Sequence, residues 1–171
     1  MYFKGLFKKL NHGKIKYLVI GGVAVNLHGY PRMTGDLDIL IEMDTKNIKK
    51  FVDMVKRLGW KPKVPVQVEA FADAEKRKDW IEEKGMKVFS VYNPKDVFEH
   101  IDVMVENYID FGKAYLKRKI VSVGGVRVPV VSMPDLIRLK KIAGRPRDLT
   151  DIRTLLQIQE LENAEKKRRS R

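Results

Sequence analysis

Two aspartates one residue apart, Asp36 and Asp38, open the apolar run Leu37-Asp38-Ile39-Leu40-Ile41. Side chains alternate faces along a strand, so the two carboxylates are expected on one face. Leu37, Ile39 and Ile41 are expected buried on the other. Carboxylates this close repel and raise one another's pKa unless a cation lies between them. Hard oxygen donors at this spacing suit magnesium or manganese. The plainer alternative is a strand edge with solvated acids. A third acid is available in Glu99-His100-Ile101-Asp102-Val103-Met104-Val105, where Ile101, Val103 and Val105 share one face and Asp102 lies on the other. Burying an acid in so apolar a run is costly without a partner. If this strand lies beside the first, Asp102 completes a triad. It could then hold a metal and take a proton from an attacking hydroxyl. Glu99, near the strand's start, is the alternative third acid.

Upstream, Tyr17-Leu18-Val19-Ile20 reads as a short buried strand that runs into Gly21-Gly22. Glycines there let the backbone turn sharply and approach a bulky anion. Val23 to His28 reads as a short helix, with Gly29 as its left-handed cap. A helix start just after two glycines presents N–H groups that favour phosphate. A simple tight turn remains the alternative for an isolated glycine pair. Here Arg32, Thr34 and the paired aspartates follow closely.

The combined pattern, G-G-x-A-x-x-x-H-G-x-x-R-x-T-x-D-x-D with a later strand acid, resembles the nucleotidyltransferase superfamily of DNA polymerase β-like fold. The Tyr30–Thr34 insertion before the aspartates is similar to antibiotic-modifying and abortive-infection toxin-type members. The resemblance spans roughly residues 15–155. It implies an α/β (α+β) nucleotidyltransferase fold, a mixed twisted sheet flanked by helices, with C-terminal helices. It also implies roles. Gly21 and Gly22 would bind phosphates, Asp36, Asp38 and Asp102 would hold Mg2+ (or Mn2+), and Arg32 and Thr34 would lie near the nucleotide. The C-terminal P-x-x-L-I-x-x-K…R-x-x-D-x-x-D-I pattern resembles the same relatives and makes Lys140 and Arg147 candidates for the triphosphate's charge. A solvated basic helix face is the alternative for both. Asp148 and Asp151 read as a helix cap and a salt-bridge partner rather than as ligands.

The remaining pattern supplies elements to hold these residues. A helix is expected over Thr45–Leu58, with Thr45 as cap and Gly59 as stop. Val64-Pro65-Val66 reads as loop or edge. Val68–Gly85 reads as a broken helix burying Phe71, Ala74, Trp80 and Ile81. Met86–Tyr92 alternates as a strand, Asn93-Pro94 turns, and Phe98–Glu106 is the Asp102 strand. A helix over Phe111–Lys119 leads into a hairpin, Ile120–Val131, about Gly124-Gly125. Helices are then expected over Met133–Ala143, with Pro134 in the first turn, and from Asp148 or Thr150 through Leu161. The N-terminal Met1–Leu10 segment is expected to be a short amphipathic helix packed on the rest.

With 171 residues, 35 Lys and Arg against 22 Asp and Glu, and a formal charge of +13, the chain fits one domain with a polyanionic partner. The absence of cysteine excludes disulfides and thiolate sites. Three scattered histidines do not suit structural zinc. No apolar run approaches a membrane span, and no signal peptide is evident, so the expected compartment is the cytoplasm. The tail, residues 162–171, ends in a basic run expected to fray.

The expected function is metal-dependent transfer of an NMP from an NTP to an acceptor hydroxyl, with release of pyrophosphate. The acceptor, whether a small molecule, RNA such as tRNA, or protein, is open. The alternatives are a toxin-type tRNA-modifying enzyme and a non-catalytic nucleotide- or RNA-binding module. A domain of this size leaves little room for acceptor recognition, so a homodimer or a partner chain is possible.

Overall fold

The computed structural model describes residues 3–169. Met1, Tyr2, Ser170 and Arg171, which belong to the terminal stretches read above, lie outside it. Seven strands form one mixed sheet. They are β1 (Tyr17–Val19), β2 (Leu37–Ile41), β3 (Lys61–Pro62), β4 (Val88–Asn93), β5 (Asp96–Met104), β6 (Lys119–Val123) and β7 (Val126–Val130), in the order β3-β4-β5-β2-β1-β7-β6. The acid-bearing strands are central. β2 pairs with β1 antiparallel and with β5 parallel.

Strand period two divides this sheet into unlike faces. Ile39 stands beside Val103, and Val103 beside Phe89. These side chains are fully buried. They share their face with α1 (Lys4–His12) and α3 (Thr45–Arg57), where Phe51, Phe71, Phe89 and Trp80 form a chain of ring contacts. Leu6, Phe7 and Leu10 anchor α1, so the N-terminal segment packs as expected. The other face carries Asp38, Asp102 and Ser90 in one row. On this face α2 (Gly21–Leu27) packs against β2, α6 (Met133–Ala143) against α2, and α7 (Pro146–Arg169) against α6. Leu40 lies on this second face, yet it too is buried because α2 packs on β2.

Local chemistry accounts for most element ends. α3 is capped by Asp44 rather than Thr45: its Oδ1 accepts from Lys46 N at 2.9 Å and Asn47 N at 3.0 Å. A carboxylate there also meets the helix dipole favourably. Gly59, at φ +66°, ends that helix as expected. The 68–85 segment is broken into a 3-10 turn, Val68–Ala72, and α4 (Ala74–Glu82). Asp73 caps α4, which leaves Ala74 exposed in its first turn, contrary to expectation, while Phe71 and Trp80 are buried. α5 covers Phe111–Leu116. Gly124 and Gly125, at φ +54° and +82°, make the two-residue turn of the β6–β7 hairpin.

α7 departs from expectation at both ends. It starts at Pro146, whose fixed φ suits a first helical position. Asp148 reaches back to accept from Arg145 N at 3.1 Å. The helix continues to Arg169 instead of fraying after Leu161. Glu162 with Lys166, and Glu165 with Arg169, have the i,i+4 spacing and acid-first order that favour helix. No helix among the described residues is long and apolar enough to cross a membrane.

Candidate active site

Asp38 and Asp102 are register partners on β2 and β5. Their side chains therefore emerge side by side from the same sheet face, as the alternation predicts. Gly21 brings the β1–α2 turn against them. It sits at φ +62°, and a Cβ there would lie 2.0 Å from Asp38 Oδ2. A side chain at this position is excluded twice, by backbone conformation and by the carboxylate. Gly22 is nearly as restricted, since its Cβ would fall 2.6 Å from Thr34 Oγ1 and 2.8 Å from Arg32 Nη2. The two glycines thus let the turn, the 30–34 loop and the aspartate strand converge. A Gly21→Ala protein is expected to lose on the order of 2–4 kcal/mol of stability, read by urea denaturation, together with whatever activity Asp38 supports.

A cavity of about 250 Å³ opens over this junction. Gly21, Gly22, Arg32, Thr34, Asp36 and Asp38 line it at one end. Val88, Met104, Leu136, Leu139 and Ile142 form an apolar wall, with Tyr108 beside it. Asp102 does not line the cavity, but borders it between Asp38 and Ser90. Larger depressions of about 440 and 710 Å³ lie elsewhere and contain none of the three aspartates.

The electrostatics of the junction are unbalanced. Burial pushes the Asp38 carboxyl up to about 6, and the charges of Asp102 and Asp36 add to the rise against the opposing pull of Arg145 and Lys140. Asp102 Oδ1 is buried without a hydrogen-bond partner. A divalent cation would neutralise the first and ligate the second, and all the donors are hard oxygens. The donor set therefore fits such an ion. No three His, Cys, Asp or Glu side chains among the described residues stand close enough to bind one as they are. Asp36, just before β2, is 60% exposed and instead accepts from His100 Nε2 at 2.7 Å.

The basic candidates divide. Lys140 is buried, and its ammonium lies 2.6 Å from Asp151 and 3.0 Å from Asp148. Arg32 Nε lies 3.0 Å from Asp151 Oδ1, and Nη2 donates to Oδ2 at 3.1 Å. Asn26 clamps the same loop by exchanging two hydrogen bonds of 2.9 Å with the Arg32 backbone. Asp151 is thus an ion-pair partner, as read from the sequence, whereas Asp148 is the third residue of α7 rather than its leading cap, and it pairs with Lys140 while accepting from Arg145 N. Arg147 is exposed and lines the cavity with Lys87 and Arg145, and none of these three side chains is paired with a carboxylate among the described residues. Lys87 and Arg145 went unmarked in the sequence, as did His100 and Asn26. Arg145 could have been found beside Arg147 in the same Gly-Arg-Pro-Arg break. Glu99 is withdrawn as a third acid: it faces away from Asp102 and bonds to Lys9 at 2.6 Å and Asn93 at 2.9 Å.

Comparisons with known proteins agree with this fold. Residues 4–166 match the family described as Nucleotidyltransferase of unknown function (DUF6036). A comparison with curated proteins finds no match. Among solved structures, the lincosamide antibiotic adenylyltransferase LnuA, bound to lincomycin, superposes with a TM-score of 0.58 at 17% identity, covering 90% of this chain and 94% of that one. An antigenic nucleotidyltransferase-like protein from Paracoccidioides brasiliensis gives 0.56 at 20% identity, over 92% and 73%. ANT(2")-Ia in complex with adenylyl-2"-tobramycin gives 0.53 at 13% identity, over 94% and 92%. At these identities the solved structures speak for the fold. The family match extends over nearly the whole chain, through both glycines, all three aspartates and the α6–α7 cations, and the chain belongs to that family of nucleotidyltransferases.

Proposed function

We propose that the protein is a metal-dependent nucleotidyltransferase that moves an NMP from an NTP to an acceptor hydroxyl. The register pairing of Asp38 with Asp102, with Gly21 packed on Asp38, carries this reading. It sets two acids side by side against a side-chain-free backbone turn, with Asp38 lining the cavity and Asp102 next to it. Asp36, Asp38 and Asp102 would hold magnesium or manganese, which when bound neutralises phosphate charge and acidifies a nearby hydroxyl.

The residues divide the remaining tasks. Gly21 and Gly22 admit the triphosphate close to the backbone. Lys87, Arg145 and Arg147 supply its counter-charge, since Lys140 and Arg32 are already paired. The apolar wall of Val88, Met104, Leu136 and Leu139 excludes water from the reacting centre. Asp102 takes the proton from the acceptor hydroxyl. The freed oxygen attacks the α-phosphorus in line, the bond from that phosphorus to the bridging oxygen breaks, and pyrophosphate leaves. Positioning and charge stabilisation account for most of the acceleration.

The direct test supplies each α-labelled NTP with magnesium or manganese, and offers tRNA, lincosamides and aminoglycosides as acceptors. Label joined to an acceptor, with pyrophosphate released, is the expected result. Nucleotide binding without transfer in every mixture would instead favour a non-catalytic module. Removing both free guanidinium groups, as Arg145→Ala with Arg147→Ala, is expected to raise the KM for NTP by about ten-fold or more, in keeping with lost charge-assisted hydrogen bonds to phosphate. Steady-state kinetics at saturating acceptor read this directly.

A further inference from the structure

We propose that His100 is a positioning residue that fixes Asp36 for cation binding. The inference rests on the metal-dependent reading above and concerns a residue to which that reading gives no role. His100 lies on β5 two positions before Asp102, so its ring shares the Asp102 face. Its side chain is only 12% exposed, against 60% for Asp36. The imidazole is therefore the anchored partner, and the carboxylate is the one that needs holding. Asp36 precedes the first residue of β2 and follows Gly35, so no strand ladder restrains it. Among the described residues, His100 is the only group bonded to its carboxylate.

The direction of the bond follows from the other ring nitrogen. His100 Nδ1 is buried without a partner. A buried bare acceptor is better tolerated than an orphaned N–H donor. The hydrogen therefore sits on Nε2 and is donated to Asp36 Oδ1. A carboxylate has two oxygens with spare lone pairs, so Oδ2 stays available to a cation beside Asp38. Partners of this kind orient ligating carboxylates, and their loss weakens metal binding by about 10- to 100-fold.

The test measures Mn2+ binding by electron paramagnetic resonance, with and without a non-hydrolysable NTP analogue. It compares wild type, His100→Ala, His100→Gln and Asp36→Asn. His100→Ala is expected to weaken Mn2+ by about 10- to 100-fold. His100→Gln, whose amide N–H can reach the position of Nε2, is expected to recover most of that loss. The kcat of His100→Ala should approach that of wild type as Mn2+ is raised. Equal weakness of the Ala and Gln variants would overturn the hydrogen-bond role. So would wild-type Mn2+ affinity in His100→Ala when Asp36→Asn binds poorly. Wild-type affinity and turnover in Asp36→Asn would instead remove the parent reading, a distinct result.

Discussion

An Asp38→Asn protein is expected to stay folded and to lose NMP transfer by 10²–10³-fold or more, the scale on which single preorganised charge-stabilising groups act. The fold should tolerate the change because ionised Asp38 opposes folding. Its carboxyl is raised to about 6 by burial and by neighbouring negative charge. A pKa above the unfolded value means that the protonated group favours the native state below about 4, and that this contribution is lost as pH rises through 6. At neutral pH, without a cation, the ionised group therefore costs stability, on the order of 3 kcal/mol. Asparagine keeps the shape and removes the charge. The metal-free variant should melt at or above wild type at pH 7.5, and this advantage should vanish near pH 4. Added Mg2+ or Mn2+ should raise the wild-type Tm and leave the variant nearly unmoved. Parallel melting curves and label-transfer assays check both halves. Normal transfer by Asp38→Asn would sink the catalytic assignment.

The residues that could be read from the sequence share a physical property: their signal is local. Asp36, Leu37, Asp38 and Ile39 declare a strand and its two faces within a few positions. Ile101, Asp102 and Val103 do the same. The paired glycines mark a backbone that must come close to something. What joined these pieces was only an expectation until β2 and β5 paired in register at Asp38 and Asp102. His100 was not legible because its function depends on that register. A shift of β5 by one residue would turn it to the opposite face. The surroundings of Lys140, which also lines the cavity, were hidden for a similar reason. On α6 it looks like any helix-face lysine, and its burial is decided by the packing of α7, eight and eleven residues further on, against it. Arg145 and Arg147, in the break between those helices, escape that packing and keep their charge for the cavity.

The largest stability loss is expected at Asp151, outside the reacting centre. Its carboxylate is 1% exposed and joins three elements. Lys140 Nζ donates to it from α6 at 2.6 Å, and Arg32 approaches from the 30–34 loop at 3.0 Å. Asp151→Ala leaves Lys140 buried with Asp148 alone, and leaves Arg32 without its carboxylate. Breaking a buried pair from one side typically costs 3–5 kcal/mol, because the surviving charge stays desolvated. For a chain of this size that corresponds to a drop in Tm of roughly 10 °C. The double change Asp151→Leu with Lys140→Met removes the stranded buried ammonium and is expected to recover part of the loss, with Arg32 still without its carboxylate. Differential scanning calorimetry of the two proteins checks this. The same variants separate the two roles considered for Lys140. If its charge is spent on Asp148 and Asp151, Lys140→Met should lower Tm while raising the KM for NTP less than Arg145→Ala with Arg147→Ala does. A larger KM effect from Lys140→Met would return that lysine to the nucleotide.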